Sequence, residues 1–313
     1  MARDSFLKYL TFEKRYSPHT IEAYANDLNQ FAIYLKSEYD IEAIKEAMHM
    51  HIRSWIVSLM QSDISPRSIN RKLSSLKAYF KYLQKRGVIK VNPTNKVIAP
   101  KPSKKLPVFL KEKATQLLFE QIEFGEGFEA LRDKLILELL YGTGMRRAEL
   151  IGLTIANVDL AKQVVKILGK GNKERLVPFG TPLKALLIQY LEQRKEIHSQ
   201  NKDRLFLTDK GNVLYPKFVY NVVQRYLSAV TTQEKRSPHV LRHTFATHLM
   251  NEGANLNAVK ELLGHSSLAS TQVYTHNSIE KLKQVYKQAH PKAEATLPKM
   301  EHKEVSMDEE ENE

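Results

Sequence analysis

Apolar residues in the first part of the chain recur every three or four positions, and each recurrence follows a helix-start signal. Ser17-Pro18 supplies an N-cap and a first-turn proline, after which Ile21, Tyr24, Ala25, Leu28, Phe31 and Leu35 share one helical face. Ser65-Pro66 repeats the device ahead of Ile69, Leu73, Leu76, Phe80 and Leu83, and Gly87 closes the block. Between them, Met50–Met60 carries Ile52, Trp55, Ile56 and Leu59 at helical spacing. The opposite face of the Pro66 helix shows Arg67, Arg71, Lys72 and Lys77. Such a stripe is commonly a solvated face; its single sign tilts it toward phosphate.

The pattern then changes. From Lys90 to Pro107, Pro93, Pro100, Pro102 and Pro107 alternate with Lys96, Lys101, Lys104 and Lys105. Proline at that density disfavours helix and predicts an extended, semi-rigid linker over 89–107. At ~3.1 Å per residue it reaches on the order of 55 Å, enough to pass around a DNA duplex. Beyond it, helices are expected at 112–124, 128–141, 146–152, 182–198 and 216–230. Gln163–Leu168 and Glu174–Phe179 flank Gly169-Lys170-Gly171-Asn172 and read as a β-hairpin. Ser237-Pro238 starts a helix ending near Gly253, and Leu256–Leu263 makes another, stopped by Gly264. Ser278 through Ala289 forms a last helix with Ile279, Leu282, Val285 and Tyr286 along one side. The expected fold is mostly α with a small β-hairpin or sheet. Its domains are a helical domain over 1–88, the linker, an α+β domain over 108–290, and a tail over 291–313.

Charge sharpens this picture. The 313 residues carry a net +13, and residues 1–110 alone hold 19 Lys/Arg against 9 Asp/Glu. A protein that basic usually meets a polyanion, nucleic acid first. Residues 294–313 reverse the sign, with 8 Asp/Glu against 2 Lys, and with few apolar residues they are expected to be a disordered, solvated appendage. There are no cysteines, which removes disulfides, thiolate metal sites and cysteine nucleophiles together. No secretory signal or membrane-length apolar run is present, so a cytoplasmic protein with no membrane partner is expected.

Four short stretches concentrate the reactive residues. In Thr143-Gly144-Met145-Arg146-Arg147-Ala148-Glu149-Leu150, the glycines deliver Arg146 at a helix start, and Glu149 sits three residues on to buttress its guanidinium. No third glycine and no Gly-Lys-Ser/Thr follows, so this is neither a dinucleotide fingerprint nor a P-loop. In Pro238-His239-Val240-Leu241-Arg242-His243-Thr244-Phe245, His239 and Arg242 share a helical face. A zinc site is disfavoured, because the metalloprotease motif needs glutamate where Val240 stands. Leu263-Gly264-His265-Ser266-Ser267 and Val273-Tyr274-Thr275-His276 complete the set. A lone Tyr or His in such a place is more often packing than chemistry; the combination changes the odds.

The order Arg, Lys, His-x-x-Arg, His, Tyr resembles the tyrosine recombinase (phage integrase) family. Thr-Gly-Met-Arg-Arg-Ala-Glu-Leu is similar to its first arginine box, Gly-Lys-Gly-Asn-Lys-Glu-Arg to its hairpin lysine, and the two histidine-bearing stretches to its last two boxes. In length and wording the resemblance is closest to the Xer site-specific recombinases, and it runs from the N-terminal helices to His290-Pro291-Lys292-Ala293. Two features depart from the family: Arg146-Arg147-Ala148 stands where Arg-Ile-Ser is common, and the acidic tail has no expected counterpart.

The resemblance implies a two-domain DNA clamp that cuts and rejoins DNA through a 3′-phosphotyrosine, with Tyr274 as nucleophile. Arg146 and Arg242 would hold the non-bridging oxygens and Lys170 would protonate the leaving 5′ oxygen; Lys173 is its rival, and hairpin physics does not decide between them. His239 is then a general base or phosphate donor and His265 a second donor. No metal, cofactor or ATP is expected. Arg67, Arg71, Lys72, Lys77, Lys101, Lys104, Lys105 and Lys173 are the expected DNA contacts. Implied partners are double-stranded DNA with paired inverted half-sites, a homo- or hetero-tetramer on it, a second Xer-type recombinase and a DNA translocase. The implied duty is resolution of chromosome dimers at cell division. An integrase of a phage or conjugative element, a type IB topoisomerase and a non-catalytic DNA-binding protein are the competing readings. By the same resemblance the last helix is passed to a neighbouring protomer; the alternative is that it packs on its own domain.

Overall fold

A computed structural model describes residues 2–102, 108–169, 172–264 and 276–293, without the side chains of 276–279 and 281. Lys104, Lys105, Lys170, His265, Tyr274 and the acidic tail from 294 lie outside the described residues. The chain divides into two units, Met1–Leu106 and Pro107–Glu313.

The first unit is helical: α1 (Ala2–Lys8) running into a π-turn at Tyr9–Glu13, then α2 (Pro18–Tyr39), α3 (His49–Gln61) and α4 (Pro66–Lys85). The Ser-Pro starts work as caps, with Ser17 Oγ accepting from the Thr20 amide and Ser65 Oγ from the Ser68 amide. The periodic faces meet in one core that contains Leu28, Phe31, Leu35, Ile52, Trp55, Ile69, Leu76 and Phe80, with Phe6 of α1 added.

The linker does not begin at 89. Asn92 caps a short 3₁₀ turn at Pro93–Lys96, and Val97 is buried in the first unit's core. Arg53 donates to the Lys96 carbonyl at 2.8 Å, and Asn70 to the Pro100 carbonyl at 2.9 Å. Proline excluded α-helix as expected, but Ile89 and Val97 pack against the first unit's core, and the carbonyls of Lys90, Lys96 and Pro100 find donors on α4 and α3. That holds the segment as far as Pro100.

The second unit opens with α5 (Glu112–Gln116) and a π-turn at Leu117–Gln121, which ends the helix expected to reach 124 where Ile122 turns extended. Next comes α6 (Gly127–Thr143), which is buried almost all round and takes the charged Arg132, Asp133 and Glu138 inside with its apolar residues. α7 (Arg147–Gly152) follows, then the strands β1 (Val158–Asp159), β2 (Val164–Leu168) and β3 (Glu174–Pro178). These form an antiparallel sheet in the order β1-β2-β3, with Val165 opposite Val177 and Leu168 opposite Glu174. β2 and β3 are the expected hairpin. β1 was not anticipated.

α8 (Thr181–Arg194), α9 (Pro216–Val230), α10 (Pro238–Asn251) and α11 (Leu256–Leu263) complete the body, with α8 and α10 packed on α6. α8 stops short of 198, and Arg194 turns its guanidinium to the Leu205 carbonyl instead. Leu110, where the chain enters this body, is held twice by α10: its amide donates to Thr244 Oγ1 and its carbonyl accepts from His248 Nε2. That bond puts the His248 proton on Nε2, so Tyr141 Oη is the donor to Nδ1 at 3.0 Å.

The last helix, α12 (His276–Ala289), packs on its own unit, against β3, α10 and α11. Leu282, Tyr286 and Ala289 are buried there, and Tyr286 stacks on His290 at 4.6 Å. The next residues are not tail. Pro291–Ala293 crosses α8's start, where any Cβ at Gly180 would collide with the Lys292 and Ala293 carbonyls. Lys292 pairs with Glu138 and lies over the Phe119 ring.

Candidate active site

Two arginines distant in sequence are brought together by one turn. Gly144 ends α6 in the left-handed region at φ 60°, and a Cβ there would strike Phe245 of α10. Glycine is therefore required for the turn to lie against α10. Arg242, on α10, is only 8% exposed and donates to the Gly144 carbonyl at 2.6 Å and to the Leu263 carbonyl at 2.8 Å. Two residues past Gly144, Arg146 is the N-cap of α7. The expected buttress is present: Arg146 Nη1 reaches Glu149 Oε1 at 2.8 Å, while Glu149 Oε2 takes the Arg146 amide at 2.8 Å.

The electrostatics are those of a site built for an anion. Burial lowers the pKa of Arg242 to about 10, with the like charges of Arg146 and Arg175 acting in the same direction and Glu149 opposing them. It remains charged at neutral pH, and among the described residues its side-chain hydrogen bonds go to carbonyls and not to a carboxylate. His239, one turn before Arg242, is shifted down, first by burial and then by His243, Arg242, Arg147 and Arg146. A neutral imidazole results, able to accept a proton beside two guanidinium groups.

Burial raises the Glu149 carboxyl pKa, but the hydrogen bonds and charge of Arg175, together with the bonds from Arg146, outweigh it and keep the group below its ordinary value. Arg175 was not singled out in advance, although it ends the hairpin word. Its signal was available. It shares the inward face of β3 with Val177, and an arginine at an inward strand position needs a buried partner. Arg147, where the family often has isoleucine, bonds the Pro216 carbonyl at the start of α9.

The expected DNA contacts separate. Arg67, Lys77, Lys101 and Lys173 are exposed. Lys72 is not on that surface: it is 7% exposed and its ammonium contacts Asp27 and Gln30. Arg71 spans both situations, half exposed yet forked onto the buried Asp27 carboxylate. A stripe read from spacing could not reveal Asp27, which α2 places beneath α4.

Residues 101–281 match the Phage integrase family, and residues 4–87 match the phage integrase N-terminal SAM-like domain. The chain belongs to the tyrosine recombinases of the phage integrase family. This recombinase is 38% identical to the tyrosine recombinase XerC of Chlorobaculum parvum, over 93% of its own length and 94% of the relative's. It is 37% identical to XerC of Bacillus subtilis, over 92% and 95%. Its fold is similar to the crystal structure of the XerH site-specific recombinase bound to a palindromic difH substrate in a post-cleavage complex. The TM-score is 0.69 at 25% identity, covering 91% of this chain and 84% of that one.

Proposed function

We propose that the chain is a Xer-type site-specific recombinase in which Tyr274 attacks a scissile phosphate. The observation that carries this reading is the convergence of Arg146, Arg242 and His239 about the Gly144 turn, in a family whose chemistry passes through a covalent tyrosine. Arg146 and Arg242 hold the non-bridging oxygens, where charge accumulates as the phosphorus becomes five-coordinate. Tyr274 Oη forms the new P–O bond and loses its proton, with His239 as acceptor. The 5′ oxygen leaves and takes a proton from Lys170, and His265 adds a donor. The phosphotyrosine conserves the bond energy, so rejoining is the same step reversed.

The substrate in this reading is duplex DNA with paired inverted half-sites, and the exposed Arg67, Lys77, Lys101 and Lys173 contribute phosphate contacts. Exchange of two duplexes needs four cuts, hence four copies or two pairs with a second Xer-type recombinase. Chromosome-dimer resolution in the cytoplasm, in concert with a DNA translocase, is the duty we infer from the relatives named XerC. Those relatives match nearly the whole chain, and a mobile-element integrase fits less well.

The test is a nicked suicide substrate. Wild-type protein accumulates a covalent adduct, and Tyr274→Phe binds the same DNA without forming one. An adduct that persists in Tyr274→Phe moves the nucleophile elsewhere. Linked or exchanged product duplexes, rather than relaxed circles alone, separate recombinase from topoisomerase.

A further inference from the structure

We infer that Arg175 is a positioning residue for strand cleavage, acting through Glu149 to keep one edge of Arg146 free for phosphate; the inference rests on the active-site reading above. Glu149 has two oxygens with about four acceptor positions. All four are taken. Oε1 accepts Arg146 Nη1 at 2.8 Å and Arg175 Nη1 at 3.0 Å. Oε2 accepts the Arg146 amide at 2.8 Å and Arg175 Nη2 at 2.7 Å.

The consequence concerns what Arg146 has left. A carboxylate beside a single arginine prefers the paired fork arrangement, which engages two guanidinium nitrogens. Here the fork position belongs to Arg175, which is buried with Glu149 and cannot leave. Toward Glu149, Arg146 is confined to one side-chain bond, and its side chain is 38% exposed. Nη2 and Nε are not spent on Glu149. Arg175 also returns one positive charge to a cluster from which Glu149 subtracts one.

The same side chain ties three catalytic segments together. Its backbone lies in the strand that follows Lys170, and its Nη groups hold the helix that presents Arg146. Its Nε donates to the Leu262 carbonyl at 2.8 Å, at the end of α11. Arg242 takes the next carbonyl, Leu263. Two arginines thus cap α11 just before His265, as the negative end of a helix favours. Gly264 lies against Arg175, where a Cβ would come within 3.1 Å of its Cδ.

The experiment measures single-turnover adduct formation by the full chain on the suicide substrate, alongside affinity for one half-site. Arg175→Met is expected to cleave on the order of 100-fold more slowly, as misplacement of a reacting group by about 1 Å does, with unchanged affinity. Arg175→Lys keeps the charge but not the fork and is expected to fall between. Both are then run on DNA whose scissile phosphate is a methylphosphonate, which has no anionic charge for Arg146 to hold. A defect transmitted through Arg146 shrinks there, whereas a folding defect carries over in full.

Wild-type cleavage by Arg175→Met, or an equal deficit on both substrates, overturns the inference. If Arg175→Met does not fold, the comparison rests on Arg175→Lys: a wild-type rate, or a deficit equal on the two substrates, overturns it in the same way. Tyr274→Phe runs in parallel. Its failure to form adduct, with Arg175→Met unimpaired, removes the positioning role alone. An adduct surviving in Tyr274→Phe removes the active-site reading and the positioning role together.

Discussion

Arg67, Arg71, Lys72 and Lys77 look alike in sequence, yet their surroundings give them different work. Lys72 is consumed by the fold: Asp27, 1% exposed, also takes the Arg71 fork and the Ser75 hydroxyl. Burying a carboxylate is costly unless it is paired and hydrogen-bonded, and these groups supply the pairing. Lys72→Met should therefore destabilise the first unit by about 1–3 kcal/mol in denaturant unfolding, because Asp27 loses one of its partners. The salt dependence of duplex binding should not change. Arg67→Ala, at an exposed position, should show the opposite pattern, unaltered stability and a salt slope reduced by about 1. A salt slope altered by Lys72→Met would return that side chain to the surface. Arg146 and Arg242 were legible because their boxes carry local signals: a glycine turn, and a His-x-x-Arg spacing. Lys72 and Arg175 were misread or missed because their partners, Asp27 and Glu149, are remote in sequence and only folding brings them near.

Helices with a sustained apolar period were legible, and α2 and α4 start where their Ser-Pro signals place them. β1 has two residues, too few for any period, and only its register with β2 defines it. The two π-turns insert one extra residue into a helical run, which periodicity alone cannot resolve. The stripe on α12 was visible, but its destination was not, since an apolar face fits its own domain or a neighbour's equally well. In the free chain it docks at home, and His290 secures its end. The His290 ring is buried against Tyr286, Tyr141 and Phe245, and its Nδ1 accepts the Lys292 amide. Burial, aided by the nearby charge of Lys292, lowers its pKa to about 3. An unfolded imidazole titrates near 6.5. Between those values the unfolded chain binds a proton that the folded chain refuses, so stability falls as pH drops below about 6.5, by at most ~1.4 kcal/mol per pH unit. Unfolding midpoints of the free chain between pH 7.5 and 5 should show the decline, and His290→Phe should flatten it. An identical slope in both proteins would exclude His290 as its source.

At the scale of the whole chain, the two anchored points redefine the connection between the units. Asn70 fixes the Pro100 carbonyl in one, and Thr244 and His248 fix Leu110 in the other. Val108 packs against the second unit's core and Gln233 holds the Phe109 carbonyl, so the stretch between the anchors is residues 101–107, with a reach on the order of 25 Å at ~3.1 Å per residue, not the 55 Å expected from composition. If both units grip one duplex, as the proposed clamp requires, tether length sets the effective concentration of the second grip. Doubling the tether with a Gly-Ser insert after Ser103 should then weaken half-site binding about threefold, following the −3/2 power of length. Unchanged affinity would mean that the units do not bind the same duplex together. The Leu110 anchor has one more consequence. Thr244 and His248 lie on the helix that carries His239 and Arg242, so the connection is fastened to the helix of the proposed site, as well as to the α9–α10 loop through Gln233. Tension along the connection acts as a load on that helix, applied within two turns of the guanidinium that would hold the phosphate.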